Sequence, residues 1–376
     1  MGRFYIISDH YSPNIAATNH ALAFIKGFSD HGIIAEWIFI LPSDKFDVVP
    51  NVIKGITCRY LWNRKLGRNK ILKHLYKWIP LSIFLYKLKK GDKILLLGCN
   101  EYLWLFLKKR GIKVYHERTE HPDVVKTGHL PWSNYFYKKQ TKRVDGLFVI
   151  SQKLKDYFIS IGCQKDKVHI VNMVVDSNRF IGIEKQPVDH HYIAYCGNGS
   201  NSKDGVDNLI KAFKYVSEAF PHELLYIIGK KPPKESENSQ LVESLGLTNH
   251  VIFTGVVSAN DMPQLLKNAD LLALCRPSSL QNEMGFPTKL GEYLLTGNPV
   301  VVTRVGDIPR FLKDGESAFM TDTTDIKGFG EKMIWALKRS DKSKEIGLKG
   351  KIVAEQNFNY LTESHKFLKV IFGDEN

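Results

Sequence analysis

The sequence has 376 residues, 43% of them hydrophobic and 24% charged, with a formal net charge of +14. That length suits two domains of about 100–200 residues each, the composition is ordinary for a globular chain, and no run reaches the ~20 apolar residues of a membrane-spanning helix. Five cysteines (Cys58, Cys99, Cys163, Cys196 and Cys275) are scattered and lack metal spacing, which excludes a disulfide framework and reads as buried thiols in a reducing cytosol.

Phe4–Ser8 reads as a buried strand whose apolar stretch is too short for a signal peptide. A polar loop, Asp9–Asn19, leads to a helix from about His20 to His31 stopped at Gly32, then a strand over Glu36–Leu41. This is one βαβ unit. Strands are expected at Lys93–Leu97, Lys113–His116, Gly146–Ile150 and Val168–Val171, with a helix over Tyr102–Arg110. Ser151 suits an N-cap, Leu154, Tyr157, Phe158 and Ile161 share one face, and Gly162 closes that helix. Such alternation predicts a parallel sheet covered on both faces.

Within this half, Asn51–Gly91 carries no Asp or Glu. Lysines and arginines from Lys54 to Lys90 alternate there with Trp62, Tyr76, Trp78, Phe84 and Tyr86. A basic segment with aromatic and aliphatic residues between its charges suits an anionic membrane surface. A solvated basic helix face is the plain alternative. Nucleic acid would accept the charge, but no recognition helix or RNA-binding signature accompanies it, and no nucleic-acid partner is expected.

Near Phe180–His191 the pattern lapses into polar residues, as a hinge would. It restarts with a strand at Tyr192–Cys196 and a loop at Gly197–Asp204. The next helix carries Val206, Leu209, Ile210, Phe213 and Val216 on one stripe. Strands follow at Leu224–Ile228, Val251–Phe253, Leu271–Leu274 and Val300–Thr303. Helices are expected near Ser239–Leu245, Met262–Asn268, Leu290–Leu295 and Tyr360–Ile371. The expected fold is α/β, two Rossmann-like doubly wound domains facing across a cleft. Their ranges are 1–180 and 181–356, with the terminal helix 357–376 packed back on the first. Ligands of such sheets bind beyond the carboxyl ends of the strands.

The most informative stretch runs from Asn282 to Val301, NEMGFPTKLGEYLLTGNPVV. Pro287 suits the first turn of a helix. The N–H groups of Thr288 and Lys289 would then leave the helix start, an anion site fit for a diphosphate. Lys289 adds charge, and Glu292, one turn on, is a good acceptor for ribose hydroxyls. An ordinary helix start with a surface Lys–Glu pair is the plain alternative.

This stretch resembles the donor-binding signature of retaining glycosyltransferases of family 4, which have the GT-B fold. In the family two glutamates precede a Gly-x-Pro-Val-Val strand. Glu292 matches the second, which binds the donor ribose. Met284 stands at the place of the first, which contacts the transferred sugar, with Glu283 one place early. Backbone N–H groups over Gly285, Phe286, Pro287 and Thr288 (Pro287 itself has none) could take over part of that contact. The variant resembles a branch rich in bacterial surface-polysaccharide transferases. Val171–Phe180 resembles the family's join between domains. Gly197–Gly205 resembles its diphosphate loop, in which Lys203 matches a lysine that balances the leaving group. Asn198 stands where an arginine is usual, and a neutral amide does not replace a bidentate guanidinium. Val256 falls in the loop beside the nucleobase.

In the first half the resemblance places Asn14 in the family's first loop. It places His116, or alternatively His121, near the reacting sugar, with Glu117 and Glu120 in the same cluster. His116, Glu120 and His121 fit no standard zinc spacing, and there is no Asp-x-Asp metal motif, so no metal is expected. The resemblance implies transfer from a UDP- or GDP-linked sugar to a glycan or polyprenyl-linked acceptor, without a cofactor. His116, Lys203 and Lys289 would be the groups carrying the chemistry. With residues 54–90 at an anionic membrane, the enzyme would sit in the cytoplasm, peripheral to the inner face. An inactive scaffold or a sugar-nucleotide epimerase on the same fold is the alternative.

Overall fold

In the computed structural model the described residues are 2–9, 11, 16–40, 51–61, 78–98, 110–124 and 133–373. The chain forms two compact units, Met1–Val174 with Tyr360–Asn376, and Val175–Asn359.

Among the described residues the first unit is built on an eight-stranded sheet. Its strands are β1 (Phe4–Ser8), β2 (Ala35–Phe39), β3 (Val52–Ile53), β4 (Ile56–Tyr60), β5 (Lys93–Leu96), β6 (Lys113–Arg118), β7 (Gly146–Val149) and β8 (Val168–Ile170). They lie in the order β3-β4-β2-β1-β5-β6-β7-β8 and pair in parallel, except for the antiparallel β3–β4 hairpin. That hairpin lies where the sequence pattern gave only a basic segment. β1, β5 and β7 are almost wholly apolar because parallel strands are covered on both faces. The helix Gln152–Ser160 is capped by Ser151, whose Oγ accepts from Leu154 N at 3.1 Å. The last helix, Tyr360–Phe372, belongs to this unit's core. Phe367 packs on Phe24 and Phe148 with ring centroids 4.7 and 4.0 Å apart. Burying one such ring contributes about 1.5–3 kcal/mol.

The second unit carries β9 (Tyr192–Cys196), β10 (Leu224–Ile228), β11 (Val251–Gly255), β12 (Leu271–Leu274), β13 (Val300–Thr303) and β14 (Phe319–Thr321). All pair in parallel, in the order β11-β10-β9-β12-β13-β14. This is the doubly wound order in which the winding reverses beside the first strand. The helix Val206–Ala219 buries the expected stripe. The helix Ile326–Lys338, which the sequence reading did not assign, packs against it. Among the described residues no helix is long and apolar enough to cross a membrane. Cys58, Cys163, Cys196 and Cys275 are free thiols, and Cys99 lies outside the described residues.

Candidate functional site

The reversal in the second sheet falls between β9 and β12, where successive connections leave to opposite faces and the strand ends border a crevice. The loop after β9 is Gly197–Gly205 and the segment after β12 begins at Cys275. Gly205 joins the helices Asn201–Asp204 and Val206–Ala219 at φ 64°. A Cβ there would collide with the Cys275 carbonyl, so only glycine lets the two loops touch.

Asp204 lies at the centre of this contact and is 4% exposed. Its Oδ2 accepts from the Tyr195 hydroxyl at 2.7 Å and from Lys289 Nζ. Its Oδ1 lies 3.7 Å from Arg276 Nε. Arg276 Nε also donates to the Lys203 carbonyl at 3.2 Å, and Asn282 Nδ2 donates to the same oxygen at 2.8 Å. Burial acts to raise the Asp204 carboxyl, but Lys289, Tyr195 and Arg276 outweigh it and hold the group below its usual value. Burial pushes the Lys289 ammonium down, against the pull of Asp204. The Tyr195 phenol is raised, first by burial and then by Asp204, so it stays a donor. Lys289, expected to add positive charge at the helix start, is held against a buried acid. The reason is that the sheet brings β9 and the helix Thr288–Leu295 together. The helix begins at Thr288, with Pro287 as the residue before it rather than in its first turn.

Glu292 lies on the same helix, its side chain 21% exposed, and its Oε1 accepts from Arg179 Nη1. Arg179 Nη2 donates to the Ala259 carbonyl at 2.8 Å, which fixes the guanidinium. Tyr293 OH accepts from Cys196 N at 2.6 Å and so ties this helix to the end of β9. The Cys196 thiol is pushed up to about 12, first by burial and then by Glu292. Phe286 is buried against Phe311 and Phe358, so its side chain belongs to the core. Gly285 and Thr288 are half-buried. Asn198 is exposed on the loop after β9, Lys203 is exposed on the short helix Asn201–Asp204, and Val256 is 79% exposed just after β11.

In the first unit, His116 is wholly buried in β6, and its Nδ1 lies 3.0 Å from Gln140 Nε2. The next residue, Glu117, holds His20 of the helix Ala16–Asp30 through Oε1 and Nε2, 2.7 Å apart. Glu120 is half-buried. His121 packs on the Tyr157 ring at 4.1 Å, and its Nδ1 accepts from Asp123 N at 3.2 Å. Burial pushes this imidazole below its usual value, with Asp123 opposing. Asn14 lies outside the described residues. Of the basic segment 54–90, residues 62–77 lie outside them too. On the helix Trp78–Lys87, Ile79, Ile83 and Tyr86 are exposed, a spacing that puts them on one face. Among the described residues no group of three or more His, Cys, Asp or Glu is gathered as a metal ion would need.

Residues 176–353 match the family model described as glycosyl transferases group 1. The chain carries this match within its second unit, Val175–Asn359. It is 26% identical over 236 residues to mannosylfructose-phosphate synthase of Agrobacterium fabrum, covering 58% of this chain and 50% of the relative. It is 24% identical over 205 residues to the putative colanic acid biosynthesis glycosyltransferase WcaL of Escherichia coli, covering 52% and 48%. The chain therefore spans about half the length of the curated relatives it matches. Its fold is that of HepE of Anabaena, solved in complex with UDP-glucose, with a TM-score of 0.74 at 16% identity over 98% of both chains.

Sequence reasoning picked out Gly197, Lys203 and Lys289: the fold sets Lys289 on the buried Asp204 carboxylate and beneath Gly197, and holds Lys203 by its backbone carbonyl with the side chain exposed. It missed Asp204, Tyr195, Arg276 and Asn282, which hold them. Asp204 directly follows Lys203, and Arg276 closely follows a strand at the expected binding edge. Both signals were present but carried no partner. Arg179 and His20 left no signal, because each matters only through a residue far along the chain, Glu292 and Glu117.

Proposed function

We propose that the protein is a retaining glycosyltransferase. It would move a sugar from a UDP- or GDP-linked donor to a glycan or polyprenyl-linked acceptor, in bacterial polysaccharide synthesis. The observation that carries this reading is the meeting of the Lys289 and Arg276 cations on Asp204 at the reversal of the second sheet, with the exposed Lys203 next to Asp204 in the chain. In transfer the bond from the anomeric carbon to the diphosphate breaks, and the diphosphate leaves with the electron pair. The new bond forms to the acceptor oxygen on the same face, and the acceptor proton passes to a departing phosphate oxygen. Fixed cations aimed at the leaving group stabilise its growing charge. Lys203, Lys289 and the N–H groups near Thr288 are assigned to it. Glu292 is assigned to the ribose, Val256 to the base, and the backbone from Gly285 with Asn198 and Gly197 to the sugar and diphosphate.

The second unit is thus read as the donor domain and the first as the acceptor domain. Glu117, Glu120 and His121, with Asn14, are assigned to the acceptor side. His116, enclosed beside Gln140, fits a supporting part beneath that edge rather than contact with sugar. The exposed Ile79, Ile83 and Tyr86 next to Lys87, Lys89 and Lys90 support docking on the anionic inner face of a membrane.

A thermal-shift screen against UDP, GDP and their sugar conjugates tests the donor site, because a ligand that binds only the native state raises the melting point. The expected result is a shift with one base, unchanged by EDTA, and release of that nucleoside diphosphate when acceptor is added. Binding without release, over a range of lipid-linked and glycan acceptors, would instead mark the inactive scaffold.

A further inference from the structure

At the floor of the crevice sits an acid. A buried carboxylate beside a diphosphate would by itself oppose binding, so Asp204 needs a reason to be there. Its surroundings supply one. Two cations, Lys289 and Arg276, meet on it from different elements, and the Tyr195 hydroxyl donates to it at 2.7 Å. Without an anion between them, two buried cations this close would repel, and the lysine would give up its proton. With one carboxylate against two cations the group stays net positive.

The same contact sets direction. Lys289 Nζ lies 3.4 Å from the Tyr195 hydroxyl and 4.9 Å from the centre of its ring. It lies under Gly197, where a Cβ would run into both the hydroxyl and the ammonium. The charged and titratable groups that face Lys289 are Asp204 from the helix Asn201–Asp204, Tyr195 and Cys196 from β9, and Arg276 after β12.

We infer that Asp204 is a positioning residue for the donor diphosphate: it keeps the Lys289 ammonium charged and aimed at the loop after β9, where a nucleoside diphosphate binds. This rests on the donor-site reading above. Asp204 touches no phosphate itself and acts through Lys289.

Asp204→Asn keeps the shape and an acceptor oxygen but removes the charge. Isothermal titration with UDP and GDP, and with the corresponding nucleosides, tests it in the full chain. The expected result is about a tenfold or larger loss of diphosphate affinity, with nucleoside affinity unchanged. The ratio of wild-type to variant affinity should grow from about pH 6 to about pH 9, because each pH unit above a lysine's pKa removes about tenfold of its charged form. On a Lys289→Met background, Asp204→Asn should cost nothing further. Wild-type affinity in Asp204→Asn with a pH-independent ratio, or additive losses with Lys289→Met, would overturn the inference and leave the donor site standing. Failure of the wild-type protein to bind either diphosphate would overturn both. If Asp204→Asn does not fold, Tyr195→Phe, which removes one donor to the carboxylate, should show a smaller loss with the same pH trend. An unchanged Tyr195→Phe would then overturn the inference.

Discussion

Glu292 offers a sharp test of the donor site, because two partners compete for one carboxylate. In the structure its Oε1 is engaged by Arg179, and both side chains are partly exposed, 21% and 26%. A pair that exposed contributes about 0–1 kcal/mol to stability. Hydrogen bonds from ribose hydroxyls to a carboxylate are worth about 1.5–3 kcal/mol, which is about 10- to 150-fold in affinity. Glu292→Ala should therefore change the unfolding midpoint little and weaken binding of the nucleoside diphosphate by about that factor. Titration of wild type and variant with UDP or GDP and with the 2′,3′-dideoxy analogue isolates the contact. Wild type should prefer the ribose form, and Glu292→Ala should bind both forms alike. Arg179→Ala should leave the ribose preference within about threefold, since it removes only the carboxylate's present partner. A Glu292→Ala protein that still prefers ribose would refute the assignment, whatever its overall affinity.

Two further outcomes follow from other parts of the molecule. Glu223 is 7% exposed, and its carboxyl is pushed from 4.5 to about 7, first by burial and then by Asp270, with His191 and Lys185 opposing. The folded unit then holds a proton that the unfolded chain releases, so this contribution is full below the unfolded value and is lost as pH rises through the folded one, a slope worth about 3 kcal/mol at most. Glu223→Gln should flatten the change in unfolding free energy between about pH 5 and about pH 8, and an unaltered change would contradict the assignment. For the membrane face, sedimentation with anionic vesicles should exceed that with neutral ones by about 1 kcal/mol per engaged lysine. Ile83→Asp with Tyr86→Asp should abolish most of it, and equal sedimentation with both vesicle types would sink the docking proposal.

Much of the secondary structure was legible because its signals are local. The helix Met262–Asn268 and the strands Leu271–Leu274 and Val300–Thr303 stand where periodicity puts them. Ser151 caps its helix because the motif is complete within four residues. The helix Ser340–Asn357 escaped notice, as its lysine-rich sequence contains Gly347 and Gly350, which read as breakers. In the fold those glycines are contact points, where a Cβ would meet the backbone of Gly297–Asn298 and of Ser317.

The sequence by itself determined the alternation of strands and helices, the charge of the loops, and the residue types at the donor edge. Only the tertiary structure decided who holds whom: Lys289 meets Asp204 across 85 residues, and Glu292 meets Arg179 across 113. The physical reason is that periodicity is encoded within a turn or two of chain. The partner of a buried charge is chosen by sheet order, which brings distant strand ends together and leaves each unpaired charge too costly to bury alone.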